Sequence, residues 1–124
     1  DLAPLEGLPK LRVLTLSSND GIVSLEPAAS LPALRYLSLS SGTAVPSLEP
    51  LAQTHLAVLD LGLGVGQSKL YKNIDYTPLT QLPDLVCLNL TNHTRVTTKL
   101  CKQILAHSPD LRFLNIQNTP CFGG

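Results

Sequence analysis

One pattern recurs five times in this chain and constrains its fold more than any other feature. The pattern is L-x-x-L-x-[LI]-x-x-x, and its copies begin at Leu11, Leu34, Leu56, Leu85 and Leu111. Successive first leucines are therefore 23, 22, 29 and 26 residues apart. Recurrence at a period of about 20 to 29 residues indicates structural units that stack on one another and share a core.

Each copy of the pattern predicts one short, half-buried strand. The two apolar residues of L-x-[LI] are two positions apart, so they point to the same face of a β-strand. A single strand cannot bury that face, whereas strands stacked about 4.8 Å apart share a continuous core. We therefore expect five short parallel strands, one from each repeat.

The segments that lead into the strands predict compact return paths. Pro4, Pro27, Pro50 and Pro78 recur in similar phrases, such as LEPAASLPA and LEPLAQTH. Proline lacks a backbone N–H and fixes φ, so these phrases favour 3₁₀ or extended turns over long helices.

The segment after the fourth strand is the exception, because its pattern predicts an α-helix. Either Thr97 or Thr98 is suited to cap its start. Ser108–Pro109 is suited to end it, because the residue before a proline disfavours helical geometry. The apolar face of this helix is predicted to contain Leu100, Ile104 and Leu105.

Taken together, the repeats resemble the leucine-rich-repeat family, and the resemblance covers essentially all of residues 1–124. It implies an α/β fold, a curved solenoid with short parallel strands on its concave face. The convex side would carry 3₁₀, short helical or extended segments. The first three repeats resemble the short class of about 22 residues. The fourth resembles the cysteine-containing class known from F-box substrate receptors, with His93 in the family's cysteine position.

The ninth position of the repeat differs from the family pattern. The family places an asparagine there, which bonds backbone groups of the neighbouring coil, and only Asn19 fits. The other repeats carry Gly42, Gly64, His93 and Thr119. The resemblance therefore implies less regular turns after those four strands.

If the leucines point inward, the alternate strand residues form columns on the concave face. The first column is apolar and aromatic and contains Val13, Tyr36, Val58, Cys87 and Phe113. The second is small and polar and contains Thr15, Ser38, Asp60, Asn89 and Asn115. Apolar residues beside hydrogen-bonding ones are typical of protein interfaces, so we predict a protein partner here. Strand propensity alone is the alternative explanation for the first column.

The glycine-rich stretch LGLGVGQSKLYKN, residues 61–73, poses the question of a phosphate-binding loop. That motif requires lysine directly after glycine, in G-x-x-x-x-G-K-[ST], at the start of a helix. Here two residues separate Gly66 from Lys69, and no helix pattern follows before Pro78. We therefore expect no nucleotide and no other cofactor.

The same stretch is interpreted as an insertion that lengthens the third repeat, around residues 65–73. Insertions in repeat proteins often lie on a binding face. We predict a rim loop from which Lys69, Tyr71 and Lys72 contact a partner, and we expect deletion of residues 65–72 to leave the fold intact.

No pattern in the chain indicates catalysis or metal binding. Cys87, Cys101 and Cys121 are 14 and 20 residues apart, and His93 follows Cys87 by six, which matches no standard zinc spacing. The chain contains no G-x-S-x-G nucleophile motif. We expect neither an enzyme nor a metal protein.

Charge and hydropathy narrow the class of partner. Nine basic and nine acidic residues give zero formal net charge, so no overall field attracts nucleic acid or an anionic membrane. No apolar run reaches the roughly 18 residues of a membrane span. We therefore expect protein partners. The absence of visible capping units leads us to expect an internal section of a longer repeat array.

The leading hypothesis is a protein-interaction module, or scaffold subunit, of a larger intracellular and cytoplasmic complex. A substrate-recognition domain of a ubiquitin ligase is one alternative, implied by the fourth repeat. A purely structural subunit covered by its neighbours is another. A fragment of an extracellular receptor ectodomain is the third.

Overall fold

The computed structural model describes residues 3–16, 24–39 and 44–120. Within these ranges the chain forms a five-stranded, all-parallel sheet whose strands lie in chain order. Each strand is three residues long. The strands are β1 Val13–Thr15, β2 Tyr36–Ser38, β3 Val58–Asp60, β4 Cys87–Asn89 and β5 Phe113–Asn115.

The strands pair in the register that the repeat pattern predicts. Leu14 pairs with Leu37, Leu37 with Leu59, Leu59 with Leu88, and Leu88 with Leu114. The first four of these leucines are buried, and Leu114 is half-buried and packs against the same core. Equivalent leucines therefore form one continuous layer under the sheet.

The return segments are mostly short 3₁₀ helices, as their prolines predict. Pro4, Pro50 and Pro78 lie in the 3₁₀ helices Ala3–Leu5, Glu49–Gln53 and Thr77–Gln81. Pro27 lies in a single turn of α-helix, α1 Glu26–Ala29. Consecutive segments contact one another in chain order and so form a row of their own.

Three of these turns begin in the same way, with a polar side chain two residues before the first helical residue. Its oxygen accepts a hydrogen bond from the first helical N–H, which has no partner within the turn. The pairs are Ser24 with Glu26 at 3.3 Å, Ser47 with Glu49 at 3.0 Å and Asp75 with Thr77 at 2.9 Å. The bonds from Thr77 also hold the pKa of the Asp75 carboxyl below its ordinary value.

Helix α2 spans Thr98–His107, as the fourth return segment predicts. Thr97 is the capping residue, because its side-chain oxygen accepts from the Leu100 N–H at 3.2 Å. The helix buries Cys101 and Ile104. Leu105 was expected on this face but is 50% exposed, because it lies about 100° around the helix from Ile104.

The two cysteines of the described ranges lie in different elements. Cys101 is buried in α2 and Cys87 is half-buried in β4, while Cys121 lies outside the described residues. No helix in the described ranges is both long enough and apolar enough to cross a bilayer.

The cap of α2 gives a direct test of local stability. Replacement of Thr97 by alanine removes the side-chain acceptor of the Leu100 N–H, so we expect a loss of about 1 kcal/mol in the free energy of unfolding. Urea denaturation monitored by circular dichroism measures it. Thr98→Ala is the matched control and should change stability by less than about 0.5 kcal/mol. A larger loss of stability in Thr98→Ala than in Thr97→Ala would show that Thr97 is not the capping residue.

Candidate protein-interaction face

The face of the sheet opposite the leucine layer is called the open face here. It carries the first predicted column, now termed the apolar stripe: Val13, Tyr36, Val58, Cys87 and Phe113. These residues are paired in register across all five strands. Val13 is 57% exposed, Tyr36 37% and Phe113 65%, whereas Val58 and Cys87 are half-buried. An apolar stripe one residue wide therefore reaches solvent across the sheet.

The second predicted column contains a hydrogen-bonded group, termed the polar row: Ser38, Asp60 and Asn89. The Ser38 hydroxyl donates to Asp60 Oδ2 at 3.4 Å, and Asn89 Nδ2 donates to Asp60 Oδ1 at 3.0 Å. Thr15 and Asn115 lie at the two ends of the column and are exposed. The central three side chains are thus ordered by one another before any partner is present.

Ser38 corrects one part of the predicted contact set. It lies on the open face but is only 4% exposed, and its hydroxyl is directed to Asp60. Little of its surface is therefore accessible to a partner, and its hydroxyl contributes to the position of the Asp60 carboxylate.

The strand ends explain why this column is polar. At the ends of β3, β4 and β5 a side-chain Oδ1 accepts a hydrogen bond from the N–H two residues later, which forms a local turn. The pairs are Asp60 with Gly62 at 2.9 Å, Asn89 with Thr91 at 3.0 Å and Asn115 with Gln117 at 3.1 Å. Aspartate and asparagine at this position therefore both end the strand and fix their own side chains.

Gly62 opens a shallow depression beside the polar row. A Cβ atom at this position would lie 2.7 Å from Asn89 Nδ2 and 3.1 Å from Asp60 Oδ1. Glycine therefore leaves room for the Asp60–Asn89 hydrogen bond. The depression is lined by Asp60, Gly62, Leu63, Gly64, Gln67, Asn89 and Thr91.

The glycine-rich insertion forms a turn and then a 3₁₀ helix, Ser68–Tyr71, which sequence reasoning missed. The Gly64 N–H donates to the Gln67 side-chain oxygen at 2.6 Å, and Gly66 has a φ of 82° that favours glycine. Lys69 and Lys72 are exposed, as a rim contact requires.

Tyr71 does not lie on the rim surface, so its predicted contact with a partner is wrong. It is 0% exposed, and its ring packs edge-on against the His93 ring with 4.8 Å between centroids. Ile74 and Tyr76, which follow the insertion directly, are buried as well. The insertion therefore contributes to the hydrophobic core, and the expectation that residues 65–72 can be deleted without effect on the fold is not supported.

His93 joins the insertion to the end of β3. It is fully buried, and its Nε2 lies 2.6 Å from the Leu61 carbonyl oxygen while its Nδ1 lies 2.8 Å from the Tyr76 hydroxyl. A carbonyl only accepts, so Nε2 carries the proton and donates, and in the neutral ring Nδ1 accepts from Tyr76. Burial lowers the pKa of His93, although the bond to Leu61 opposes that shift. Burial likewise raises the pKa of Tyr76, to about 12.

Two further contacts hold the insertion against the loop after β4. Arg95 donates from one guanidinium nitrogen to the carbonyl oxygens of Tyr71 and Ile74, both at 2.9 Å. The hydroxyls of Ser68 and Thr94 lie 2.7 Å apart. The rim that carries Lys69 and Lys72 is therefore attached to the neighbouring repeat on several sides.

Two asparagines form hydrogen bonds between neighbouring repeats, and they occupy the eighth position of the repeat where the family pattern places asparagine at the ninth. Asn92 Nδ2 donates to the Leu63 carbonyl at 2.6 Å, and Asn118 Nδ2 donates to Asn92 Oδ1 at 2.8 Å. Both have positive φ, 69° and 60°, which asparagine tolerates better than most residues. The recurrence of asparagine at the eighth position in these two repeats was the sequence signal that could have identified them. The ninth-position residues Asn19 and Gly42 lie outside the described residues.

The burial of Tyr71 gives a test of the insertion as core. We expect Tyr71→Ala to lower the free energy of unfolding by about 3 to 5 kcal/mol, because it removes a buried ring and leaves a cavity. Lys72→Ala, on the adjacent exposed position, should change it by less than about 0.5 kcal/mol. Chemical denaturation compares the two. Equal, small losses of unfolding free energy in the two variants would contradict the assignment of Tyr71 to the core.

The buried neutral histidine predicts a pH dependence of stability. His93 has a lowered pKa when folded, so below about pH 6.5 the unfolded chain binds more protons than the folded chain. Stability from this group is therefore complete above pH 6.5 and falls as the pH drops towards the folded pKa. The slope is at most about 1.4 kcal/mol per pH unit for one proton.

Denaturation between pH 8 and pH 5 measures this effect. His93→Gln should reduce the slope, whereas His55→Gln, at an exposed histidine, should retain it. A wild-type stability that is constant over this range, or a slope unchanged in His93→Gln, would contradict the assignment.

Comparison with known proteins adds no family to this description. Neither the protein-family models nor the curated proteins contain a match to this chain. Function is therefore argued from the chain's own residues.

Proposed function

We propose that this chain is part of a leucine-rich-repeat solenoid that binds a protein partner through the open face, which is the concave face in that architecture. The observation that carries the proposal is the apolar stripe, in register across five strands and exposed at three of its five residues.

An uncovered apolar stripe is unusual on a parallel sheet. Such sheets normally have both faces covered, because helices pack on each side. Here the leucine layer covers one face, while Val13 and Phe113 on the other remain more than half exposed. Exposure of contiguous apolar surface carries a free-energy cost and commonly marks an interaction site. A partner that covers the stripe would remove this surface from water.

The polar row supplies the second component of an interface. Protein interfaces combine a desolvated apolar centre with hydrogen-bonding groups around it. Asp60 and Asn89 are already held by each other and by the turns at their strand ends. Binding therefore costs less conformational entropy than it would with freely rotating side chains.

Within this proposal the chain acts as an interaction module or scaffold subunit inside the cell, without chemistry of its own. The odd and sparse set of three cysteines does not form a disulfide framework, which favours a reducing compartment. A substrate-recognition role in a ubiquitin ligase is the second candidate, favoured by α2 in the fourth return segment. A constant, stoichiometric set of bound proteins would support the scaffold, and variable clients together with a ligase core would support the receptor.

The decisive experiment compares bound proteins between matched variants. The change is Tyr36→Asp with Phe113→Asp, which places two charges on the apolar stripe. Loss of a hot-spot residue from an interface costs about 2 kcal/mol or more, so we expect affinity for an isolated partner to fall about 30-fold or more. Leu105→Asp is the control, because it adds a charge at an exposed leucine on α2.

Affinity purification identifies the partner, and calorimetry with the purified pair measures the loss. Circular dichroism confirms that all variants are folded. A partner bound equally well by the stripe variant and by wild type would show that the open face is the wrong surface.

A further inference from the structure

We propose that the open face takes a protein segment that places one lysine or arginine side chain against Asp60 and an apolar side chain on the adjacent apolar stripe. This inference rests on the proposed function, because it specifies the chemistry of the partner at the same face.

Asp60 is the one residue with a formal charge among the ten positions of the two columns. It ends β3, the central strand of the sheet, and is partly exposed. The apolar stripe and the other four residues of the second column are neutral. A single negative charge in the middle of a neutral face is complementary to a single positive charge on a partner.

The hydrogen bonds of the carboxylate leave acceptor capacity on one oxygen. Oδ1 accepts from the Gly62 N–H at 2.9 Å and from Asn89 Nδ2 at 3.0 Å. Among the described residues, Oδ2 has a single and longer contact, 3.4 Å from the Ser38 hydroxyl. A carboxylate has about four lone-pair sites, so Oδ2 retains room for a further donor. The bonds on Oδ1 hold the group in place for it.

The depression beside Gly62 is lined by Asp60, so it lies next to this carboxylate. Thr91, which lines the same depression, donates its hydroxyl proton to Asn89 Oδ1 at 2.6 Å, so its oxygen remains an acceptor. Ammonium and guanidinium groups are donors only, with three and five N–H groups. Asp60 and Thr91 are thus a small acceptor set that matches the head of a basic side chain.

Other charges near this face limit the partner to one basic residue at this point. Lys69 and Lys72 are exposed on the rim insertion, which begins directly beyond the depression. Arg12, Arg35 and Arg112 lie directly before β1, β2 and β5, at the opposite end of the strands from the depression. Each additional basic residue of a partner segment would add repulsion from these groups, which favours a single lysine or arginine at this point.

A random peptide library displayed for selection against the chain tests the inference. We expect the selected peptides to share one lysine or arginine at a constant spacing from an aromatic or aliphatic residue. A selected peptide should bind Asp60→Asn at least about tenfold more weakly than wild type, because a charge-assisted hydrogen bond is lost. Asparagine is isosteric and keeps an oxygen for the Gly62 N–H. Asp84→Asn, an exposed carboxylate elsewhere, is the control.

A change on the peptide side makes the test independent of the variant's folding. Replacement of the peptide's basic residue by norleucine should weaken binding to the wild-type chain by the same factor, and should have little effect with Asp60→Asn. Salt should weaken binding to wild type more than binding to Asp60→Asn.

The outcomes separate the two proposals. Peptides that lose affinity for Tyr36→Asp yet show no basic preference, or bind Asp60→Asn as well as wild type, overturn the role of Asp60 and leave the open face as the binding surface. Peptides that are insensitive to Tyr36→Asp, or a selection that yields none, count against both.

Discussion

The structure depends on one constraint, the in-register stacking of the leucines of L-x-x-L-x-[LI]. Leu37, Leu59 and Leu88 lie directly beside one another and exclude water from a common layer. Because side chains alternate along a strand, a register set by the leucines also aligns the residues between them. The apolar stripe and the polar row are consequences of that alignment. The core of this protein and its candidate binding face are therefore two results of one pattern.

The insertion shows how the stacked core accommodates a unit that does not repeat. Tyr71, Tyr76 and His93 form a buried aromatic cluster next to the leucine core, with ring centroids 4.8 to 6.5 Å apart. The cluster is polar at its edges, and His93 satisfies those groups by bonds to Tyr76 and to the Leu61 carbonyl. As a result, the exposed Lys69 and Lys72 are held in place by the packing of Tyr71 between them.

Sequence reasoning succeeded for features set by local or repeating patterns and failed for contacts between residues far apart in the chain. The strands, the proline turns and α2 were predictable, because each depends on residues within a few positions of one another. The register was predictable because the leucines recur at equivalent positions of each repeat. The choice between Thr97 and Thr98 as the cap, and the outward position of Leu105, needed the helix axis relative to the core. Tyr71 was misplaced because its neighbour His93 is 22 positions away in the chain, and no local pattern connects them.

The sequence by itself determined that this chain stacks short parallel strands and which side chains share each face, because a period of two and a recurring length dictate both. Only the tertiary structure decided how the insertion is used and which polar groups meet. His93 bonds to a carbonyl 32 residues earlier, and Asp60 to an amide 29 residues later. Such pairings arise when adjacent repeats come into contact, so their partners are set by the stacking of the repeats.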